Sequence, residues 1–393
     1  MREGLPSTAG HRLVVRLIDT REVQRLRRIR ALGLASLAFP GGEHSRFAHA
    51  VGSAHVMQRY LERVRSLADE LPAHDRIDPW WEAVALAAAL LHDLGHGPFS
   101  HTFEAVLPDA RAHESWTSQI ILDPSTEVHA VLREFDARAP EAVERLIHGE
   151  CPIRHLARAV SGTFDVDRCD YLMRDSYMTG VRYGLLDLDW LLGSLRLYLP
   201  AGASAATLAV DGAKGLTAVE GFFLARLYMY RQVYLHKAVR TAEVTIRALF
   251  RGQTISTAEY LDLDDSALEV AMWHYARGDD PILAELAVAL RDRKLFKSVK
   301  LRADVDDAEV RARVDPIVAA VYDPRYFAAT DTVQIKPWVE DEALVVLSGP
   351  RVESLRSASP VIAGLAAQTF VSHRLMFPVS VREAVSEAVE DLR

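Results

Sequence analysis

Cysteine is almost missing from this chain: Cys151 and Cys169 are the only two in 393 residues. Two cysteines cannot build a disulfide scaffold or a four-cysteine zinc site. Long apolar runs are missing as well. No stretch reaches the roughly eighteen residues of a membrane-spanning helix. The opening MREGLPSTAGHR has no apolar segment of the kind that directs secretion. A cytoplasmic protein without a membrane partner is the expectation. Basic excess is also lacking, since 46 Lys and Arg face 54 Asp and Glu for a formal net charge of -8. A broad nucleic-acid surface needs a basic field, so nucleic acid is not an expected partner. A local basic pocket for a phosphate chain stays compatible with this balance. Internal repeats and low-complexity segments are absent.

What is present is a helical pattern followed by a change of texture. Residues 22–32 put Val23, Leu26 and Ile29 on one side, with arginines between them. A longer helix is expected at 46–66, and the Pro-containing stretch DELPAHDRIDP then breaks the pattern. WEAVALAAALL, residues 81–91, is apolar nearly all round, the signature of a helix buried among helices. Further helices are expected at 139–147, at 153–161 and across 215–250. RLYLP (196–200) and ATLAVDG (206–212) read as a short hairpin. Beyond about residue 300, DTVQIKPW and ALVVLSG read as strands and ESLRSASPVIAGLAAQT as a helix. RLMFPVS then reads as a strand and VREAVSEAVEDL as a last helix. The fold class is therefore mostly α, with a helical core over 1–300 and a small α+β module over 301–393.

Four positions carry the chemistry: His49, the adjacent His92 and Asp93, and Asp167. Neighbours inside a regular helix point about 100° apart and do not share a ligand. His92 and Asp93 instead close the buried apolar helix and precede LGHGPFSH, where Gly95 and Gly97 let the backbone turn. Burying an imidazole and a carboxylate there is costly without partners, and a divalent ion offsets that cost. The ligand set suits Mg, Mn, Fe, Ni or Zn and does not choose among them.

The ordered set H…HD…D, with HDLGHGPFSH around the pair and DVDRCDYLMRD around the last aspartate, resembles the HD-domain phosphohydrolases. The resemblance is to their deoxynucleoside triphosphate triphosphohydrolase branch. It starts at RLIDTREVQRLRRIRALG, continues through FPGGEHSRFAHAVG, and reaches YLHKAVR and RKLFKSVK, spanning roughly residues 11–300. It implies an HD-type helical core and metal ligation by His49, His92, Asp93 and Asp167. It implies that His96, His101 and His113 line the reaction centre, with His101, or else His113, donating a proton to the leaving 5′ oxygen. Glu104 or Glu114 would orient that histidine. Arg46, Arg168 and Arg226 fall where the family contacts the triphosphate. Tyr171 and Asp175 fall at the sugar and base, and Tyr234 and His236 flank the nucleotide. Asp19, Gln24, Arg27, Arg293 and Lys297 match an activating GTP or dGTP site between subunits, which implies a homo-oligomer, dimer or tetramer. The plain reading of Arg25, Arg27, Arg28 and Arg30 is a solvated helix face.

Two departures stand against the family pattern. Arg168 replaces the usual lysine, turning a point charge into a fork. Ala31 replaces a glutamine that helps sense the sugar 3′ hydroxyl. Ala31 keeps a second reading open, a phosphohydrolase acting on another nucleotide such as a monophosphate or an alarmone. A third reading, a non-catalytic nucleotide sensor, would fit a chain lacking ligands, but all four are here. The aromatic run Phe222, Phe223, Tyr228, Tyr230, Tyr234 reads as helix packing, with Tyr234 as the exception beside His236. His44 reads as structural or exposed.

Overall fold

The computed structural model describes residues 9–104, 112–251, 257–336 and 344–393. Its first half is a helical bundle. Helix α1 (Ala9–Ile18) leads into the short α2 (Arg21–Arg25), then α3 (Arg46–Arg65) and α4 (Pro79–Leu91). Asp78 caps α4 by accepting the Trp81 N–H, and Pro79 sits in its first turn. Every residue from Ala83 to Leu91 is buried, so α4 is the axle of the bundle. It packs against α1 and α3. Each leucine it buries contributes about 2 kcal/mol relative to exposure.

The bundle continues with α5 (His101–Glu104), α6 (His113–Leu122), α7 (Glu127–Phe135), α8 (Ala139–Ile147) and α9 (Arg154–Val160). Helix α10 (Val166–Thr179) lies against α3. The short α11 (Leu188–Gly193) leads to the hairpin β1 (Leu195–Tyr198) and β2 (Thr207–Asp211), paired antiparallel as the sequence suggests. Two expected helices are broken. The 22–32 helix stops after α2 in a single 3₁₀ turn, Leu26–Arg28, because Arg30 forms a β-bridge to Ser45. The 215–250 run splits into α12 (Leu216–Met229) and α13 (Lys237–Leu249) around a π turn at Tyr230–Tyr234.

Helices α14 (Thr257–Asp262), α15 (Asp265–Tyr275) and α16 (Pro281–Arg291) follow, then β3 (Lys297–Leu301), α17 (Asp307–Ala319) and α18 (Pro324–Phe327). Strand β4 (Ala329–Ile335) precedes β5 (Leu344–Ser348) and β6 (Arg351–Ser354). The expected DTVQIKPW and ALVVLSG strands run to Pro337 and Trp338 and from Ala343, which lie outside the described residues. The expected helix at 353–369 is shorter and split into α19 (Leu355–Ala358) and α20 (Pro360–Ala366), with Ser359 capping the second. Strand β7 (Phe370–Phe377) and α21 (Arg382–Ala388) close the chain.

The strands interleave across residue 300. One sheet has the order β1-β2-β5-β6, with β5 parallel to β2, and the other has β3-β7-β4, all antiparallel. A division at 300 thus cuts both sheets. The buried side chains follow a different partition. One cluster joins the bundle to Leu344, Val346 and Ile362, and a second gathers α13 and α15–α17 around Leu375, Met376 and Phe377. No helix is long and apolar enough to cross a membrane among the described residues.

Candidate metal centre

Three helix ends deliver the four candidate ligands. His49 sits in the first turn of α3, whose start is fixed by Ser45 accepting the Ala48 N–H. His92 and Asp93 leave the C-terminus of α4. Asp167 is in the first turn of α10, capped by Asp165 through the Arg168 N–H. His49 Nε2 lies 2.9 Å from Asp167 Oδ1 and 3.5 Å from Asp93 Oδ2. His92 Nε2 lies 3.4 Å from Asp167 Oδ1 and 3.5 Å from Asp93 Oδ1. His49, His92 and Asp93 thus offer ligand atoms within 4.8 Å of one another, and Asp167 approaches that group through the two histidines.

The fit of a cation can be tested on the histidines. His92 Nδ1 donates to the Ala89 carbonyl at 3.0 Å, while its buried Nε2 has no hydrogen-bond partner. His49 Nδ1 donates to Asp170 at 2.8 Å, which leaves Nε2 for the centre. This is the arrangement that fixes the tautomer and orientation of a metal-binding imidazole. Burial opposes a charged His49, but Asp167 and Asp170 outweigh it and raise the imidazole to about 10. Burial would likewise raise Asp167, and His49 and His92 instead hold it well below the ordinary carboxylate value. Two carboxylates and two imidazole Nε2 atoms thus face one another, and a divalent ion would displace the proton His49 shares with Asp167 and engage the unpartnered His92 Nε2.

A second group of side chains abuts the first. His96 Nε2 is 3.3 Å and His113 Nε2 3.8 Å from Asp93 Oδ1. Their rings stack with centroids 3.8 Å apart. On the far side, Glu104 Oε1 lies 3.2 Å from His96 Nδ1, 3.1 Å from His101 Nδ1 and 3.1 Å from His113 Nδ1. Glu104 is therefore the common neighbour of three imidazoles, and its contacts with His101, His113 and His96 overcome its own burial to hold it far below the usual carboxylate range, with hydrogen bonds to His101 and His113. Glu114 also reaches His113, at 3.4 Å. Desolvation, helped by the Arg46 charge, drives His96 down to about 3, so it is neutral.

The turn between His96 and His101 is strained. Phe99 and Ser100 have φ of 52° and 57°, which costs a side-chain-bearing residue about 1–2 kcal/mol each. The sequence assigns the turn to Gly95 and Gly97, but neither has positive φ. They are needed for close approach: a Cβ would meet the His113 carbonyl at 2.1 Å from Gly95 and the Tyr260 hydroxyl at 2.8 Å from Gly97.

Both groups open on a cavity of ≈ 380 Å³. Ala31, Arg46, Arg168, Tyr171, Asp175, Tyr230 and Tyr234 line it, with His101 and His113. Arg46 does not stand free in it: its guanidinium pairs with Asp93 and donates to Ser100 Oγ at 2.8 Å. Arg168 pairs with Asp165 and donates to the Gly162 carbonyl. Asp175 is held from two sides, by His44 Nε2 at 2.9 Å and the Tyr234 hydroxyl at 2.8 Å. His44 is thus buried and engaged. Arg226 and His236 are not among the lining residues. Arg226 lies over the Tyr230 ring at 5.4 Å, and His236 caps α13 by accepting the Ala238 N–H. Asp170, Tyr230 and Asp265 are the residues sequence reasoning missed. The DVDRCD spacing, one helical turn from Asp167, was a signal for the first.

The five candidate activator residues do not meet within one chain. Gln24 donates to the Ile18 carbonyl, Arg27 donates to Gln24 and covers the Phe47 ring, and Asp19 is exposed. Arg293 and Lys297 instead line a separate cavity of ≈ 1070 Å³. Its wall includes Lys237, Lys300, Arg302, Arg382 and Arg393, and no Asp or Glu is among its described lining residues.

Comparison with known proteins places these features in a family. Residues 46–159 match the model of the HD domain, and residues 203–392 match that of the HD associated region. The uncharacterized protein YwfO of Bacillus subtilis is 31% identical over 400 residues, covering 93% of this chain and 88% of that one. The deoxynucleoside triphosphate triphosphohydrolase SAMHD1 homolog of Dictyostelium discoideum is 28% identical over 313 residues, 73% of this chain. This chain spans only 57% of that protein's length. Among solved structures, a phosphohydrolase from Bacteroides thetaiotaomicron has a TM-score of 0.76 at 23% identity, covering 92% of this chain and 94% of that one. A hypothetical protein from Aquifex aeolicus has a TM-score of 0.75 at 29% identity, covering 97% and 95%.

Proposed function

The chain belongs to the HD-domain phosphohydrolase family, and from that premise we propose that it is a divalent-metal-dependent deoxynucleoside triphosphate triphosphohydrolase. The products are a deoxynucleoside and inorganic triphosphate. One observation carries the reading: two imidazole nitrogens and two carboxylates from three helix ends converge beside a histidine trio, and one of those nitrogens, His92 Nε2, is buried without a partner. His49, His92, Asp93 and Asp167 would hold the ion, be it Mg, Mn, Fe, Ni or Zn. When bound, such an ion supplies a nucleophile at neutral pH by lowering the pKa of water and neutralises charge on the phosphate.

The chain's own residues supply the rest. Arg46 and Arg168, both in the cavity lining, meet the triphosphate, and Arg226, over the Tyr230 ring, turns in to join them. His96, kept neutral between Glu104 and Asp93 and stacked on His113, shapes the wall of the reaction centre. His101 gives the leaving 5′ oxygen its proton, with His113 as the alternative. Glu104 occupies Nδ1 of His101 and leaves Nε2 as the nitrogen for proton transfer. Tyr171, Asp175 and Tyr234 receive the sugar and base, with His236 beyond them. Asp175 suits a sugar hydroxyl because His44 and Tyr234 fix its orientation.

The proposal extends to control by GTP or dGTP in a homo-oligomer, a dimer or tetramer. The basic cavity around Arg293 and Lys297, lined by no Asp or Glu among the described residues, supports it. Because Asp19, Gln24 and Arg27 lie elsewhere on the chain, the complete site would need a second copy. A second substrate reading, another nucleotide such as a monophosphate or alarmone, draws on Ala31 in the cavity wall.

The test is a panel of each dNTP and rNTP with Mg or Mn, with and without GTP, scored for nucleoside and triphosphate. Release of monophosphate as the product, or no turnover of any dNTP, overturns the leading reading. Turnover that vanishes in His92→Ala while nucleotide binding persists excludes a mere sensor.

A further inference from the structure

Residues 260–265 lie outside the HD-domain match and inside the HD associated region. They nevertheless grip the loop that follows His92 and Asp93. The Tyr260 hydroxyl donates to the Gly95 carbonyl at 3.0 Å. Arg25 reaches between the two segments, donating to the carbonyls of His96 at 2.8 Å and Leu263 at 3.2 Å. Asp265 is the most telling member. It is 4% exposed, yet its carboxylate spends both oxygens on backbone donors: Oδ1 accepts the Phe99 N–H at 2.8 Å and Oδ2 accepts the Arg30 N–H at 3.0 Å.

The consequence follows from backbone strain. Phe99 and Ser100 both hold left-handed φ, which persists only where surrounding contacts over-determine it. Asp265 supplies such a contact at the first of the two residues. The linkage continues inward. Ser100 Oγ donates to the Arg30 carbonyl at 2.7 Å and accepts from Arg46 Nε at 2.8 Å, and Arg46 pairs with Asp93. Asp265 therefore fixes both ends of the Arg30–Ser100 contact on which Arg46 rests.

We infer that Asp265 is a positioning residue for the catalytic centre: through the Phe99 and Arg30 amides it holds the strained 99–100 turn, and through Ser100 it sets Arg46 against Asp93. The HD associated region thus contributes a working part of the site from a distant stretch of chain. Its neighbour Asp264 is the natural control. That carboxylate caps α15 through the Ala267 N–H and pairs with Arg28, with no contact to the turn.

The kinetic arm of the test rests on the metal-centred hydrolysis proposed above, so a second arm is independent of turnover. In Asp265→Asn one oxygen still accepts from Phe99, but an NH₂ group faces the Arg30 N–H. The expected result is a fall of about 3- to 10-fold in kcat with KM within about two-fold, and about 10²-fold for Asp265→Ala, since small misplacements cost that much. Amide exchange across 97–101 accelerates in both. The visible spectrum of Co(II)-loaded Asp265→Ala shifts as Arg46 leaves Asp93. Asp264→Asn lowers Tm but leaves kcat, the 97–101 exchange and the Co(II) spectrum unchanged. If the wild type turns over no dNTP, the exchange and Co(II) arms still decide. Asp265→Asn with wild-type kcat and wild-type exchange across 97–101 overturns the inference, including where Asp265→Ala does not fold. Equal changes in Asp264→Asn overturn it too, because they reduce the effect to loss of stability.

Discussion

Arg46 and Asp93 form a buried ion pair in the cavity lining, in which the arginine faces a carboxylate of the candidate metal centre and Ser100 at once. Both side chains are under a tenth exposed. The arginine therefore balances charge at the centre, and its third nitrogen donates to the Ala31 carbonyl at 3.4 Å in the cavity wall.

This pairing separates two roles by experiment. Arg46→Ala removes a cation beside the ion's ligands without removing a ligand. Bound metal per chain should stay at the wild-type level by elemental analysis, while kcat/KM falls by about 10²-fold, the scale of one lost donor to a developing charge. Loss of metal together with activity would show that Arg46 is a structural support of Asp93 instead.

Asp170 holds His49 by Nδ1 and is itself gripped by Arg174, with contacts of 2.8 and 2.7 Å. Removing such an outer partner typically lowers metal affinity about 10- to 100-fold. Asp170→Ala should show that drop in a Mn(II) titration with the helical signal retained. An unchanged affinity would mean that His49 needs no outside orientation.

Acid sensitivity should concentrate where β4 meets α13. Asp331 accepts from Arg240 Nε at 2.9 Å and Arg247 at 3.3 Å. Burial alone would raise its carboxyl, and the two guanidiniums overcome that and hold it below the ordinary value. A carboxylate with a lowered folded-state pKa contributes stability that is fully present above its unfolded value, about 4, and fades as pH falls through the folded value. Asp331→Asn should cost about 3 kcal/mol at pH 7, as expected for stranding buried charge. The gap in Tm between wild type and variant should close below about pH 4. A gap constant with pH would refute this.

Ala31 stands in the cavity wall where the family resemblance predicts glutamine. Without that amide, 3′-deoxy analogues should be hydrolysed nearly as fast as the normal substrate. Ala31→Gln should restore preference for a 3′ hydroxyl by about 10-fold, the worth of roughly one hydrogen bond. Equal preference before and after would move sugar reading wholly to Asp175.

What the sequence made legible depended on how local each signal was. His92 and Asp93 sit beside an apolar run that can only be buried, so their place at a helix end followed from pattern alone. The buried α4 and the β1–β2 hairpin followed in the same way. The break at Tyr230–Tyr234 did not, because a π turn adds residues without disturbing the apolar composition of the run. Tyr230 and Tyr234, the two ends of that turn, both line the cavity. Asp265 was invisible because its partners, Arg30 and Phe99, are backbone amides more than 160 residues away. His44 read as structural or exposed, and its role appears only with Asp175 in place. The strand partners β2 and β5 are also remote, which is why the tail read as a separate module.

The most direct measurement of the central claim is hydrolysis of an equimolar dNTP mixture by the metal-loaded protein in ¹⁸O-water, with products resolved by mass. The account predicts unlabelled deoxynucleosides and inorganic triphosphate carrying one ¹⁸O, because water attacks the α-phosphorus and the 5′ oxygen leaves with the sugar. Deoxynucleoside monophosphate with pyrophosphate, diphosphate with phosphate, or label in the nucleoside would contradict it.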